Sequence, residues 1–138
     1  MTDWAALTWQ VNDATYAAWN AHDPDAVAAV FAADARVRDA SGDWEIGPAP
    51  VRARARMLME ALPDLRLERQ TLLIDGCRHA DRWVLSGTHD GDFFGIAPTG
   101  NAVRIEGATF TVIDEQAMVI EDIHQVDYAT LFRQLAAT

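Results

Sequence analysis

The run Gly87-Thr88-His89-Asp90-Gly91-Asp92-Phe93-Phe94-Gly95-Ile96-Ala97-Pro98-Thr99-Gly100 carries the densest information about the fold of this chain. It holds four glycines and one proline. These indicate tight, specified turns, because glycine reaches positive φ and proline fixes its own φ. Strand-like residues stand on both sides, over 82–86 and 102–113. The run therefore predicts a structured loop between two strands, with His89 at a strand end where it can line a pocket.

The first half of the chain is predicted to be helical. Apolar residues from Trp4 to Ala18 recur at spacings of three and four, which is one stripe of an amphipathic helix. Asp23-Pro24 and Gly47-Pro48 mark the starts of two further helices, and Pro63 ends the third. A short strand over 34–40 is expected between the second and third helices.

The second half follows the two-residue period of strands. We expect a bulge at Gly76, a turn near Ala80-Asp81, a second turn at Asp114-Glu115-Gln116 and a short C-terminal helix. Helices followed by consecutive antiparallel strands predict one α+β domain over residues 1–138, with three N-terminal helices packed on one face of a curved antiparallel sheet. The expected strands cover residues 65–74, 82–90, 101–114 and 117–127.

Composition restricts the classes of function. No apolar run is long enough to cross a bilayer, and we expect no signal peptide. Cys77 is the one cysteine, so an internal disulfide is excluded and a cytoplasmic location is expected. The net charge of −10 argues against nucleic-acid and membrane partners, which need a basic face. The sequence has no metal-binding or dinucleotide motif and no lysine for a Schiff base, so we expect no metal and no cofactor.

The sharpest chemical signal lies in the last predicted strand. Asp122 and His124 share one face of it, because alternate residues of a strand point the same way. If that face borders a pocket, the carboxylate raises the pKa of the imidazole and orients the ring, and His124 can act as a general base. Alternatively, His124 contacts a neighbouring strand or a dimer interface. If the strand is read one residue out of phase, the pocket residues become Glu121, Gln125 and Asp127.

Other residues are candidates for the same pocket. His89 is either a catalytic hydrogen-bond donor or proton shuttle, or a residue that pins the glycine-rich loop. Trp44 follows a loop and can cover an aromatic ligand. His79 stands beside a predicted hairpin turn and is expected to be exposed to solvent. The residues predicted to bind the substrate are Trp44, Trp83, Phe110, Ile120 and Val126.

The glycine-rich run resembles the segment Gly-Thr-His-x-Gly-x-Phe-x-Gly-Ile-x-Pro-Thr-Gly of SnoaL-like polyketide cyclases. These proteins form part of the nuclear-transport-factor-two-like superfamily, which also holds ketosteroid isomerases. The resemblance implies a cone-shaped fold that encloses an apolar pocket and commonly dimerises through the outer sheet face, where we expect Val119 and Ile123. Further matching pieces occur in the family's order: Trp19-Asn20-Ala21-His22-Asp23, Leu62-Pro63-Asp64-Leu65, and Asp127 with Leu131 and Gln134-Leu135.

The resemblance also implies a change at the site itself. Family members read Ile-x-Glu-x-Trp-Asp-x-x-Asp over the last strand, which puts their acid/base carboxylate at His124 and their tryptophan at Ile123. Their partner histidine falls at Phe110 or a neighbour. A histidine in place of the aspartate can still move protons near neutral pH.

Three hypotheses follow. The leading one is a cofactor-independent enzyme that removes a proton alpha to a carbonyl of a small hydrophobic compound, as in an intramolecular aldol cyclisation or a double-bond isomerisation. The second is a non-catalytic module of the same fold that binds a small hydrophobic ligand. The third is a protein–protein interaction domain. The protonatable groups inside the cavity distinguish them.

Overall fold

The protein has four helices and six strands in a computed structural model that describes residues 1–138. None of the helices is long and apolar enough to cross a membrane. The elements in chain order are α1 (Trp4–Asn20), α2 (Pro24–Ala29), β1 (Phe31–Asp39), β2 (Glu45–Ile46), α3 (Pro48–Ala61), β3 (Arg66–Asp75), β4 (Arg78–Thr88), β5 (Ala102–Ile113), β6 (Val119–Val126) and α4 (Tyr128–Ala136).

The predicted helix starts are confirmed. The side chain of Asp23 accepts a hydrogen bond from the backbone N–H of Ala26, and Pro24 stands in the first turn of α2. Gly47 precedes α3 with a φ of +85°, and a Cβ there would lie 2.9 Å from the carbonyl oxygen of Ala33. Glycine is therefore required at the start of α3 both for its conformation and for the close approach of β1.

One curved sheet of six strands runs in the order β2-β1-β6-β5-β4-β3. The long strands β3 to β6 pair antiparallel with their neighbours, as the sequence predicts. Strand β1 joins the edge of β6 in parallel, so the sheet is mixed. The chain between β1 and β6 includes α3 and four strands, and this long connection is what permits a parallel pair. The α+β fold is thus the predicted one, with one parallel pair added.

Two local features of the sheet differ from the sequence prediction. Gly76, with a φ of +56°, lies in the turn that joins β3 to β4 and is not a bulge. The predicted turn at Ala80-Asp81 is therefore wrong, because both residues lie within β4. The bulge of β3 lies instead at Gln70, since Arg69 pairs with Trp83 and Thr71 with Arg82. A second bulge lies in β6: Ile113 pairs with Val119 and Val112 pairs with Glu121, which leaves Ile120 as the extra residue.

The core has two apolar parts, one on each side of a cavity. The first packs α1, α2 and α3 against β1 and the start of β6, with Val37 and Ala55 fully buried. The second packs α4 and the end of α3 against β4 and β5, with Phe93 fully buried at its centre. Phe93 comes from the glycine-rich loop, so that loop is anchored in the core.

Candidate functional site

A cavity of about 190 Å³ lies between the helices and the inner face of the sheet. Its lining is mostly apolar, and most of its polar side chains come from neighbouring positions of β1, β4, β5 and β6. The helices add others, including Asn12 and Tyr16 of α1 and Arg54 of α3. Phe94 and Tyr128 line the cavity and pack edge to face, with their ring centroids 6.2 Å apart. Phe94 is half-exposed, so these rings border the cavity where it approaches solvent.

The register of four strands gathers the polar side chains of the sheet into two rows. Asp81 of β4 pairs with Thr109 of β5, and Thr109 pairs with His124 of β6. Asp39 of β1 pairs with His124 on its other side and extends this row. The second row joins His79 of β4, Thr111 of β5 and Asp122 of β6.

Asp122 and His124 form the centre of a continuous hydrogen-bond chain. The Nε2 atom of His124 lies 3.2 Å from Oδ2 of Asp122, and its Nδ1 atom lies 3.1 Å from the hydroxyl of Thr109. The indole N–H of Trp83 donates to the same hydroxyl at 2.9 Å. The hydroxyl of Thr111 donates to Oδ1 of Asp122 at 2.6 Å. Both ring nitrogens and both carboxylate oxygens therefore have partners within the protein.

Burial sets the protonation behaviour of Asp122. This residue is only 4% exposed, and burial raises its pKa, while His124 and Thr111 act in the opposite direction. Desolvation disfavours the charged carboxylate, and its neighbours offset only part of that penalty.

A second polar group faces the pair from helix α1. The hydroxyl of Tyr16 donates to Asp81, and Arg69 donates to the side-chain oxygen of Asn12 at 2.7 Å. Burial, followed by the charge of Asp81, raises the pKa of Tyr16. Burial also raises the pKa of Asp81, and the charge of Asp122 adds to that effect. Tyr16 therefore stays protonated near neutral pH and can donate its hydroxyl hydrogen to Asp81.

A third polar contact lies at the end of β1. The Tyr128 hydroxyl donates to Asp39, and the backbone N–H and hydroxyl of Ser41 donate to it at 2.9 and 2.6 Å. Burial acts to raise the pKa of Asp39, but the bonds from Ser41 and Tyr128 outweigh it, and the pKa is lowered. Asp39 is therefore a fixed negative charge beside His124. No group of three or more His, Cys, Asp or Glu side chains is placed to hold a metal ion.

Four of the residues predicted from the sequence lie on the cavity wall: His124, Asp122, Trp83 and Val126. Their chemical roles remain predictions. Val119 also lines the cavity and is buried, although strand alternation placed it on the outer face. The bulge at Ile120 explains this, since the extra residue reverses the alternation on its N-terminal side.

The expectation that His89 lines the pocket is wrong. His89 is fully buried outside the cavity lining, and its Nδ1 atom lies 2.9 Å from the hydroxyl of Thr99. Its backbone N–H donates to Asn101, and its carbonyl accepts from Gly100. These bonds close the glycine-rich loop, which is the alternative role considered for this residue.

Three predicted substrate-binding residues also lie outside the cavity. Trp44 is partly exposed, and the guanidinium of Arg36 lies 4.2 Å from the centre of its ring. Phe110 is 50% exposed on the outer face, because its neighbours Thr109 and Thr111 point inward. Ile120 is exposed because it is the bulged residue.

Sequence reasoning missed several polar residues of the cavity. His79, expected to be exposed, is 5% exposed and lines the cavity with Asp81. Both residues were missed because a turn was predicted at 80–81. Strand alternation, followed back from Trp83 in steps of two residues, places Asp81 and His79 on the same face as Trp83. Tyr16 lies one helical turn from Asn12, a spacing that puts both on one face of α1, but nothing in the sequence shows which face meets the cavity.

Comparison with known structures places this fold among proteins of similar shape. A protein from Jannaschia sp. CCS1 described as a proposed SnoaL-like polyketide cyclase superposes with a TM-score of 0.86 at 18% identity, over 96% of this chain and 94% of that one. TsrD from Streptomyces laurentii gives 0.84 at 24% identity, over 96% and 97%. IdmH from Streptomyces antibioticus, a proposed polyketide cyclase, gives 0.78 at 22% identity, over 93% and 97%. These identities establish the fold alone.

A search of curated protein sequences gave no match. The family model described as SnoaL-like polyketide cyclase matches residues 9–135, which include every strand and all of the cavity residues. On this match, the protein belongs to the SnoaL-like polyketide cyclase family.

Proposed function

We propose that the protein is a cofactor-independent acid/base enzyme on a single domain over residues 1–138. Its substrate is a compact hydrophobic carbonyl compound, and the reaction is an intramolecular aldol cyclisation or an isomerisation. The observation that carries the proposal is the Asp122–His124 pair, 3.2 Å apart, on the wall of an otherwise mostly apolar cavity. Family membership supports a cyclase-type role.

We propose that Nδ1 of His124 is the atom that takes the proton. Nε2 of His124 faces Asp122, so Nδ1 is the atom available to the substrate once the ligand replaces Thr109 there. Nδ1 removes the proton alpha to the carbonyl, and the electron pair of that C–H bond forms an enolate. The buried carboxylate of Asp122 stabilises the imidazolium. When the enolate carbon attacks a second carbonyl, the new alkoxide takes the proton back from His124, and the enzyme is restored.

The cavity size restricts the substrate. Pockets for drug-sized ligands usually measure roughly 300–1,000 Å³, and this cavity measures about 190 Å³. We therefore propose a substrate of about two fused rings, or a larger one that extends out past Phe94 and Tyr128. The apolar lining keeps water from quenching the enolate.

One observation favours the second candidate function, a non-catalytic hydrophobic binding module. All four nitrogen and oxygen atoms of the Asp122–His124 pair already have protein partners. In a binding module this chain would simply hold the wall of the cavity in place. The catalytic proposal requires instead that the bond between Thr109 and His124 opens when the ligand binds.

Deuterium exchange distinguishes the two functions. The protein is incubated in D₂O with 1-tetralone, a bicyclic ketone, and incorporation of deuterium beside the carbonyl is followed by NMR. We expect His124→Gln to lower the exchange rate by about 10²–10⁴-fold, the usual contribution of one acid–base group, with little change in 1-tetralone affinity. Gln125→Ala, next in the strand and exposed, is the matched control. Tight binding with no exchange above the buffer rate would support the binding module instead.

We also propose that the protein acts as a homodimer in the cytoplasm. The outer sheet face carries a row of paired apolar residues, in which Ala80 joins Leu73 to Phe110 and Phe110 joins Ile123. Leu73 and Phe110 are 65% and 50% exposed. Val119 does not contribute, since it is buried in the core. A second copy would cover this row, and the single cysteine suits a reducing compartment.

A further inference from the structure

His79 is the one histidine of the cavity that the proposed reaction does not use. His79 is 5% exposed and lines the cavity, and its Nδ1 atom is buried without a hydrogen-bond partner. Buried polar side-chain atoms in folded proteins nearly always have a partner. An unpaired imidazole on a cavity wall therefore points to a partner that comes with the ligand.

No neighbour of His79 supplies that partner in this structure. Thr111, opposite His79 on β5, uses its hydroxyl to donate to Asp122. Asp81, the next inward residue on β4, accepts from Tyr16. The other neighbours on the wall are mostly apolar. Because χ2 of histidine has a broad, two-fold preference, the ring can flip and present a nitrogen to the cavity.

The electrostatics of His79 define the chemical class of the missing partner. Burial alone lowers its pKa to about 4, and no charged group contributes. The ring is therefore neutral at neutral pH, with one N–H donor and one acceptor nitrogen. A neutral imidazole does not offset the charge of a carboxylate or phosphate brought into an apolar cavity. A neutral hydroxyl or carbonyl oxygen is the group that fits.

We propose that His79 is a specificity-determining residue that binds a hydroxyl or carbonyl oxygen of the substrate at the end opposite its reacting carbon. This inference rests on the proposed function for the identity of the reacting end. His79 lies on β4 and the proposed base His124 lies on β6, the two strands that flank β5, so their backbones are at least two strand spacings, roughly 10 Å, apart. A fused bicyclic ketone with a second oxygen on its far ring matches that separation.

The test uses two probes that differ by one group, 1-tetralone and 6-hydroxy-1-tetralone. At slightly acidic pH, calorimetry of the wild type should show about tenfold tighter binding of the hydroxylated probe, the size of one favourable net hydrogen bond. In His79→Phe the two affinities should agree within twofold, and the midpoint of thermal unfolding should not fall, because the variant removes an unpaired polar group. His79→Gln retains a donor and should retain part of the preference.

The outcomes separate this inference from the proposed reaction. A wild type with no preference for the hydroxylated probe, or a His79→Phe protein that keeps the preference, overturns the role of His79. If His79→Phe does not fold, His79→Leu decides by the same criterion. Failure of the wild type to exchange deuterium into 1-tetralone would overturn the reaction alone, since the hydroxyl preference does not depend on turnover.

Discussion

The pH dependence of the free energy of unfolding tests whether His79 is buried and neutral, when the wild type is compared with His79→Phe. In the folded protein burial lowers the pKa of His79 from 6.5 to about 4. In the unfolded chain the ring is solvated and takes up a proton near its ordinary value. The unfolded state therefore binds more protons between these two values. Stability must fall as the pH falls through that window, and phenylalanine at position 79 removes the contribution.

The magnitude follows from the size of the shift. A difference of about 2.5 pH units at about 1.36 kcal/mol per unit limits the loss to about 3.4 kcal/mol, reached below pH 4. At pH 5 the unfolded ring is almost fully protonated and the folded ring is about one-tenth protonated, which gives a loss of about 2 kcal/mol. His79 is 5% exposed, so solvent screening reduces these figures little. Above pH 7 the contribution is close to zero.

The assay is urea unfolding followed by tryptophan fluorescence at pH 8 and pH 5, on the wild type and His79→Phe. Asp81 and Asp122 have raised pKa values and act in the opposite direction, since the folded state then binds the extra proton. Their effect is common to both proteins, so the informative quantity is the difference between the two pH responses. We expect the variant to gain about 2 kcal/mol relative to the wild type on going from pH 8 to pH 5. Equal pH responses would refute the buried, neutral state of His79.

Three further predictions concern a hydrogen bond of the site, the packing of Trp83 and the outer face of the sheet. Thr111→Val leaves Oδ1 of the buried Asp122 unpaired and should lower the free energy of unfolding by about 1–3 kcal/mol; urea unfolding at pH 8 measures it. Gly107→Ala would place a Cβ 2.3 Å from the Trp83 ring and should lower the free energy of unfolding by about 1–3 kcal/mol. Thermal unfolding measures it, and an unchanged midpoint would contradict that packing. Phe110→Arg should convert the proposed homodimer to a monomer, which light scattering measures. Unchanged secondary structure by circular dichroism is the control for folding.

The sequence predicts those parts of the structure that local chemistry determines. Asp23-Pro24 starts α2, and Pro63 follows the end of α3, because capping and ring geometry act within one turn of chain. The glycine-rich run forms the loop before β5 that its composition indicates. His124 and Asp122 share an inward face because no bulge separates them.

The sequence does not predict features that depend on contact between strands. The bulge at Ile120 exists only in the pairing of β5 with β6, and it reverses which face Val119 meets. The turn before β4 lies at Gly76, four residues before the predicted turn at Ala80. Because of that error, His79 was not recognised as an inward-facing residue of β4. Single-strand alternation is thus reliable only between two bulges or turns, and these must be located first.

The chemistry proposed here depends on strand register more than on any single residue. Asp81, Thr109 and His124 meet because they are cross-strand partners, and a slip of one residue in β5 would replace Thr109 by Ala108 or Phe110. Gly107 opposes such a slip, since the indole of Trp83 lies where its Cβ would be. The same indole donates to Thr109, whose hydroxyl contacts Nδ1 of His124. A glycine with no side chain therefore helps to position the proposed base, because the ring that packs on it begins the hydrogen-bond chain that ends at Asp122.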